Sequence, residues 1–322
     1  MNILSNYPQI TEEMNIVEAT LLRSIKSKQP LVTEVTDQLV RSGGKRLRPL
    51  LTVLSAMVGE YDRKKIVPLA AAIEILHMAT LIHDDIIDNA HLRRNSPTVQ
   101  SKWGKDIAVF TGDYLFCKAF LLVSEFKDIE NTKKLARAIR VVCEGEIQQY
   151  HHRYRTDIST IGYLKRIAAK TAILFSVSCY VGACEGNCSK SMKNALANFG
   201  MNMGMAFQIT DDILDFTGEK ALAGKPVSSD FIQGIYTLPI IYALRSKDYG
   251  ERMKAYLSKT QYTHDDIAQI LKFAFDSGGV AYARTLAEKY LAKAQRNLNA
   301  LPEGPSREIM QDILDKLIGR KV

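Results

Sequence analysis

No block of lysine and arginine interleaved with aromatic residues occurs in this 322-residue chain. That weakens nucleic acid as a partner, although Lys and Arg outnumber Asp and Glu by 43 to 35. The excess still favours anionic partners in general, phosphorylated metabolites among them. No uninterrupted apolar run approaches the roughly 18 residues of a spanning helix. The stretch from Met1 to Thr11 lacks a charged segment followed by an apolar one. The expectation is therefore a cytoplasmic protein without signal peptide or transmembrane segment. Cysteine is scarce and odd in number, at five. Cys179, Cys184 and Cys188 cluster, with Cys117 and Cys143 upstream. Their spacings match no common metal motif, so reduced thiols, often buried, are expected in place of a zinc or iron–sulfur site. Strict apolar–polar alternation bounded by hairpin turns is absent as well, which removes a β architecture.

What is present is helical periodicity. Apolar residues recur at spacings of three and four over Val17 to Ile25, Leu31 to Val40, Ile66 to Ile87, Asp106 to Phe126 and Leu135 to Tyr150. The pattern continues over Tyr163 to Cys184, Met192 to Phe216, Leu238 to Leu244, Ile267 to Phe275 and Val280 to Leu298, with a last short helix at Arg307 to Leu317. Breaks fall where Gly, Pro, Asn and Ser collect, as at Ser42-Gly43-Gly44 and Asn95-Ser96-Pro97. Thr263, followed by Asp265 and Asp266, reads as a helix start. No segment has the composition of a flexible linker, so the sequence predicts one all-α domain over residues 1–322.

Two pentapeptides stand out within those helices. Asp84-Asp85-Ile86-Ile87-Asp88 and Asp211-Asp212-Ile213-Leu214-Asp215 place acids at i, i+1 and i+4 in apolar surroundings. On a helix, i and i+4 share a face, and stacked like charges repel by a few tenths of a kcal/mol on an exposed surface. Doing this twice makes sense if a cation sits beside them. Carboxylate oxygens without Cys or His suit Mg²⁺, which binds through one or two carboxylates plus substrate phosphates. Cationic segments accompany the acids. Gly43-Gly44-Lys45-Arg46-Leu47-Arg48-Pro49 joins a glycine turn to three cations, and Arg93-Arg94 follows the first acidic motif. Both suit phosphate oxygens. Alone, the glycine segment reads equally well as a solvated loop, Lys170 as a snorkelling lysine, and Gln208 and Lys225 as ordinary residues. Together they describe a cavity for Mg²⁺ and more than one phosphate group. The long polar stretch Gly218 to Gly234 and the C-terminal segment are candidate lids.

At this point the chain resembles the trans-prenyl diphosphate synthases, or polyprenyl synthetases, over nearly its whole length, in their medium- to long-chain form. The resemblance rests on Gly43-Gly44-Lys45-Arg46-Leu47-Arg48-Pro49, on Leu81-Ile82-His83-Asp84-Asp85-Ile86-Ile87-Asp88 with Arg93-Arg94, and on Gly112-Asp113-Tyr114-Leu115. It continues through Glu144-Gly145-Glu146, Lys170-Thr171, Phe207-Gln208-Ile209-Thr210-Asp211-Asp212-Ile213-Leu214-Asp215, Gly224-Lys225-Pro226, Asp230 and Thr237-Leu238-Pro239. It implies the isoprenoid synthase type I fold, a single-domain helical bundle with a central active-site cavity, and the condensation of isopentenyl diphosphate with an allylic prenyl diphosphate. Asp84, Asp88 and Asp211, joined by Asp215, would hold three Mg²⁺ ions. Asp85 and Asp212 would support them and count with Lys170 and Lys225 in the catalytic set. Arg93, Lys170, Gln208 and Lys225 would grip the allylic diphosphate, with Thr171 beside it. Lys45, Arg48, His77 and Arg94 would hold isopentenyl diphosphate. One departure stands out: many relatives carry a lysine after the glycine preceding Thr-Leu-Pro, whereas Gly234 is followed here by Ile235. A homodimer is the family default, with a heteromer containing a small regulatory subunit as the other possibility. A terpene cyclase of the same fold is disfavoured by the intact second motif and the Lys45/Arg48 segment. A di-iron bundle is disfavoured because Glu74-Ile75-Leu76-His77 supplies only one Glu-x-x-His pair. A non-catalytic regulatory subunit would be expected to lose acids that this chain keeps.

Product length should follow from residues one or more turns before Asp84. Short-chain relatives place an aromatic plug four or five residues before the first aspartate. Here those positions are Thr80 and Ala79, with Leu76 a turn deeper. One helical turn, about 5.4 Å, is comparable to an isoprene unit. The open floor predicts a product beyond geranylgeranyl, in the hexaprenyl to octaprenyl range with heptaprenyl favoured, of a length suited to quinone side chains. A shorter geranylgeranyl or farnesyl product is the alternative, with the floor supplied by another helix, for example at Phe116 or Phe120. Thr80→Phe is expected to shorten the product as sized by chromatography, and an unchanged distribution would rule this floor out.

Overall fold

A computed structural model describes residues 6–93, 96–124, 129–217 and 230–318. These are almost entirely helical, as the periodicity implied. The chain divides into two compact units, one of residues 1–136, 177–197 and 300–312, the other of residues 137–176, 198–299 and 313–322.

In the first unit, α1 (Pro8–Ile25), α3 (Leu47–Met57) and α6 (Lys105–Ser124) pack around α4 (Arg63–Ile87). The helix α2 (Pro30–Arg41) and the short α5 (Val99–Trp103) belong to this unit too. The helix α4 starts at Asp62, whose side chain accepts from the Lys64 amide. From Ile66 to Ala79 its side chains are buried on nearly every side, as befits a helix that is apolar all round. It ends with the Asp88 amide bonded to the Asp84 carbonyl, and Asn89 then turns the chain with φ at +48°. The acids therefore occupy the last turn of a core helix. Beyond it, β1 (Leu92–Arg93) and β2 (Ser96–Pro97) pair antiparallel, Arg93 opposite Ser96. This two-residue ladder was not legible in the sequence.

The second unit takes in the C-terminal part of α7 (Ile129–His151), α8 (Thr160–Ile167), a π-helical turn (Ala168–Ala172) and the start of α9 (Ile173–Glu185). It also holds most of α10 (Lys190–Thr217), a 3₁₀ turn (Asp230–Gln233), α11 (Leu238–Ala243), α12 (Gly250–Leu257), α13 (His264–Asp276) and α14 (Gly279–Asn299). The last helix, α15, spans Pro305–Ile318. The core of this unit gathers Tyr163, Met205, Ile209, Ile213, Tyr236 and Phe273. The predicted start at Thr263 is a capping box, with Thr263 and Asp266 exchanging side-chain and backbone bonds. The periodicity left α3, α5 and α12 unannounced.

One expectation needs correction. Three helical stretches, Arg63–Ile87, Lys105–Ser124 and Thr160–Glu185, are long and apolar enough to cross a membrane by length and composition. The expectation rested on uninterrupted apolar runs. These segments carry scattered polar residues, such as Glu74 and His77, that an average tolerates. Within the fold the first two windows differ: 72% of the α4 window is buried but only 33% of the α6 window. The outer side of α6 displays Phe110 and Leu121, 69% and 62% exposed.

In a helix, alanine normally outperforms glycine by about 1 kcal/mol. At Gly182 on α9 packing reverses that order, because an added methyl would fall on the Thr52 carbonyl of α3. Gly182→Ala is expected to destabilise the protein by about 1–3 kcal/mol in urea unfolding. A gain in stability would show that α3 and α9 can separate freely.

Candidate functional site

The first acidic motif divides its labour by burial. Asp85 is buried, whereas Asp84 and Asp88 are half-buried. Arg93 donates through Nε to Asp85 Oδ1 at 2.8 Å. Burial pushes the Asp85 carboxyl up, against the opposing pull of Arg93. Gln100 Nε2 donates to the backbone carbonyls of Asp85 and Ala90, at 2.5 and 2.9 Å. Asp85 and Gln100 thus fasten the β1–β2 hairpin and α5 to the end of α4. Upstream, Ala79 and Leu76 are fully buried. Thr80 is half-buried and its hydroxyl donates to the His77 carbonyl at 2.8 Å. Of the alternative floor residues, Phe116 lies against the His83 ring, 5.6 Å between centroids, and Phe120 is exposed. The approach of α6 to α4 passes through Gly112, where a methyl would strike the His83 ring.

The glycine–cation segment is ordered by a residue that sequence reasoning passed over. Arg46 opens α3 with φ at +47°, a left-handed conformation that costs a non-glycine residue of order 1 kcal/mol or more. Its guanidinium offsets that cost. It grips Glu18 through Nε and Nη2, at 3.0 and 2.9 Å, and Glu74 through Nη1 at 2.9 Å. A further bond runs to the Val40 carbonyl at 3.2 Å. With its donors committed inward, Arg46 shapes the loop while Lys45 stays exposed. Arg48 places Nη1 2.9 Å from His77 Nε2. A guanidinium only donates, so that nitrogen accepts and the neutral ring carries its proton on Nδ1. Glu74 and His77, the Glu-x-x-His pair, thus serve Arg46 and Arg48. An acid in the midst of the apolar α4 was the available signal for Arg46.

In the second unit, the π turn carries Lys170 and Thr171. Such widened turns recur at functional sites. Two glycines bring partners to it. A methyl at Gly145 of α7 would sit 2.8 Å from Ala169 Cβ, and one at Gly204 of α10 would sit 2.7 Å from Ala172 Cα. The first approach lets Glu146 pair with Lys170 Nζ at 3.0 Å. The second lets Gln208, one turn beyond Gly204, accept from the Thr171 hydroxyl at 2.7 Å. Gln208 Nε2 in turn donates to Asp212 Oδ1 at 2.7 Å, and the buried Tyr163 hydroxyl donates to Asp212 Oδ2 at 2.7 Å. As in the first motif, the middle acid is the buried one, 4% exposed. Its carboxyl is pushed up to about 6 by burial, against the bonds from Gln208 and Tyr163 and the charge of Arg166. Tyr163 and Glu146 were the residues missed here. Glu146 was quoted for its motif without a role, and a tyrosine at a core spacing gives no sign of a polar partner.

Asp211 and Asp215 are half-buried. Burial pushes Asp211 up to about 7. Burial, then the charges of Asp230, Asp212 and Asp211, pushes Asp215 up to about 8. Acids raised this far hold their charge at neutral pH only beside a cation, and an all-oxygen donor set suits a hard divalent ion. Among the described residues, no three His, Cys, Asp or Glu side chains converge tightly enough to hold a metal unaided. Arg94, and Lys225 with its neighbours Gly224 and Pro226, lie outside the described residues, as does most of the candidate lid. Ile235, at the position where a lysine is common, is buried at 7% exposure, and its amide donates to the Asp230 carbonyl. Cys179 and Cys188 are buried, with burial pushing the Cys179 thiol up to about 12, while Cys117 and Cys143 are exposed.

Comparison with known proteins identifies the family. The family model "Polyprenyl synthetase" matches residues 29–274. The "Heptaprenyl diphosphate synthase component 2" of Bacillus subtilis (strain 168) is 37% identical over 98% of this chain and 90% of that protein. The crystal structure of a heptaprenyl diphosphate synthase from Staphylococcus aureus, 32% identical, superposes with a TM-score of 0.91 over 98% of this chain and 99% of that one. A polyprenyl synthase from Caulobacter crescentus was solved in complex with calcium and isoprenyl diphosphate. It is 33% identical, with a TM-score of 0.89 over 97% and 96% of the two chains. Other relatives carry the names of geranylgeranyl and octaprenyl synthases. The chain belongs to the polyprenyl synthetase family, the prenyl diphosphate synthases, and is a prenyltransferase.

The raised acids give a pH signature. Asp215 binds its proton more tightly folded than unfolded, so the folded protein holds more protons between about pH 4 and 8 and loses stability as pH rises through that window. Asp215→Asn is expected to leave metal-free stability unchanged near pH 4 and to raise it by pH 8, on the order of a few kcal/mol. Mg²⁺ with inorganic diphosphate should shrink that gain. Urea titrations across pH measure both, and a pH-independent difference would contradict the assignment.

Proposed function

We propose that this chain is a Mg²⁺-dependent elongating prenyltransferase. It condenses isopentenyl diphosphate with an allylic prenyl diphosphate into an all-trans polyprenyl diphosphate, heptaprenyl favoured, for use as a quinone side chain. The observation that carries the reading is the shared construction of the two motifs. Each buries its middle acid against a fixed partner and leaves the acids at i and i+4 half-buried. Asp84 and Asp88, and Asp211 and Asp215, are the metal-binding acids, with three ions bound together with the substrate diphosphate. The calcium and isoprenyl diphosphate in the Caulobacter relative support a divalent ion at this chemistry.

Bound Mg²⁺ supplies charge stabilisation to the departing diphosphate, so that the allylic C–O bond can break heterolytically. Arg93, Lys170, Gln208 and Lys225 bind the allylic diphosphate, with Thr171 beside it. Each is a cation or an amide donor, and their contacts strengthen as negative charge collects on the leaving oxygens. Glu146 holds Lys170 until the substrate arrives. Lys45, Arg48, His77 and Arg94 hold isopentenyl diphosphate. Its alkene attacks the allylic carbon, forming the new C–C bond. The proton lost next goes to the diphosphate already released, because no side-chain base stands out beside the motifs. The lack of an aromatic side chain at Ala79 and Thr80 supports a product past the geranylgeranyl length, although Ala79 and Leu76 are fully buried and Thr80 alone of the three is half-buried. Names of other lengths among the relatives make this an inference from α4 alone.

The chain acts in the cytoplasm as a homodimer. The exposed Phe110 and Leu121 on α6 support a covered face there. A second reading, that it works with a smaller partner, is favoured by the words "component 2" in the name of the Bacillus relative. The test is to give the purified chain alone labelled isopentenyl diphosphate, farnesyl diphosphate and Mg²⁺. The dephosphorylated products are then sized. A ladder ending between hexaprenyl and octaprenyl is the expected outcome. No product would point to a missing partner, and diphosphate release without elongation would favour a cyclase.

A further inference from the structure

Both oxygens of Asp212 are engaged, and the direction of each bond is fixed by chemistry. A carboxylate accepts, so Gln208 turns Nε2 toward Asp212 Oδ1 at 2.7 Å. Its Oε1 then faces Thr171, whose hydroxyl must donate at 2.7 Å. The Thr171 proton is consumed inside the protein, and Thr171 has no donor left for a diphosphate. The donor that remains is the second N–H on Gln208, which is half-buried. The orientation of that amide follows from the plane of the Asp212 carboxylate. The plane is fixed on its other side by Tyr163, whose hydroxyl donates to Oδ2 at 2.7 Å.

Tyr163 is well suited to that task. It is fully buried at 0% exposure, at the base of the helix that leads into the π turn. Arg166, one turn on, has its guanidinium 5.5 Å from the Tyr163 ring centre and donates to the Tyr236 carbonyl at 2.6 Å. It lends Asp212 charge from an anchored position and leaves the hydrogen bond to Tyr163. A hydroxyl serving only to satisfy a buried acid would need no continuation. Here the chain runs on from Tyr163 through Asp212 and Gln208 to Thr171, which lies in the same π turn as Lys170.

We propose that the Tyr163 hydroxyl is a positioning group for the allylic-diphosphate grip, acting through Asp212 on the amide of Gln208. The inference rests on the prenyl-elongation reading. It assigns Thr171 to orienting Gln208 and leaves Gln208 to touch the ligand.

The experiment measures calorimetric affinity for inorganic diphosphate in Mg²⁺ for four proteins: wild type, Tyr163→Phe, Gln208→Met and the double variant. The KM values for farnesyl and isopentenyl diphosphates are measured alongside. Tyr163→Phe is expected to weaken diphosphate binding about fivefold. It should raise KM for the allylic substrate well above any change for isopentenyl diphosphate. The double variant should bind as Gln208→Met does, because the hydroxyl acts only through that amide. Should Tyr163→Phe fail to fold, Thr171→Val tests the same relay from its other end, since it removes the donor that holds Gln208 Oε1 and should weaken diphosphate binding in the wild-type background but not in Gln208→Met. Unchanged affinity in Tyr163→Phe, or an equal loss in the Gln208→Met background, overturns the positioning role alone. A wild-type protein that ignores Mg²⁺ and diphosphate overturns the elongation reading and this inference with it.

Discussion

An ionised carboxylate among apolar side chains costs several kcal/mol unless donors or cations answer it. Much of this molecule is arranged around that demand. Glu74 and Glu18 are answered by Arg46, Asp85 by Arg93, Glu146 by Lys170, and Asp212 by Gln208 and Tyr163. The pairings made by Arg46, Arg93, Lys170 and Tyr163 join different elements, while that of Gln208 with Asp212 stays within α10. The acids left half-buried are those at the first and last positions of the motifs. A firmly paired middle acid and half-buried carboxyls on either side of it are thus two results of one pattern, because adjacent residues on a helix point to different sides.

Such bonds need backbones that come close, and glycine provides the approach. Gly112 lets α6 reach His83 beside the first motif, Gly145 brings Glu146 to Lys170, and Gly204 brings Gln208 to Thr171. In each case the side chain that gains a polar partner stands within a turn of the glycine. The glycines set the distances, and the acids then select which donors fill them.

Much of this was legible in the sequence, for identifiable reasons. Strong periodicity fixed the long helices, and two repeated acidic pentapeptides fixed the residues most concerned with charge. What escaped had weak or misleading signals. The helix α3 begins at a left-handed arginine that looked like loop, and α12 is too short and polar to show a stripe. Arg46 was one cation among three, and only the fold separates the one that builds the loop from its two neighbours. Tyr163 occupies a core spacing, and its hydroxyl bond depends on a residue 49 positions away. Periodicity cannot report a partner of that kind. The membrane-length windows were missed in a different way, since averaging forgives the very polar residues on which the motif reading depended.

The π turn at Ala168–Ala172 has a consequence for how this helix could ever change length. A residue added to a regular α-helix rotates everything after it by about 100°, whereas a π turn takes the extra residue into one wider turn. Tyr163 before the turn and Phe175 after it, whose ring lies 5.7 Å from Phe207, therefore keep the faces that a helix one residue shorter would give them. Removing one residue there would shorten no loop. It would tighten the turn to ordinary α geometry and leave Tyr163 and Phe175 facing their partners, while Lys170 and Thr171 lost the widened backbone that carries them. The extra residue thus belongs to those two side chains and not to the helix on either side.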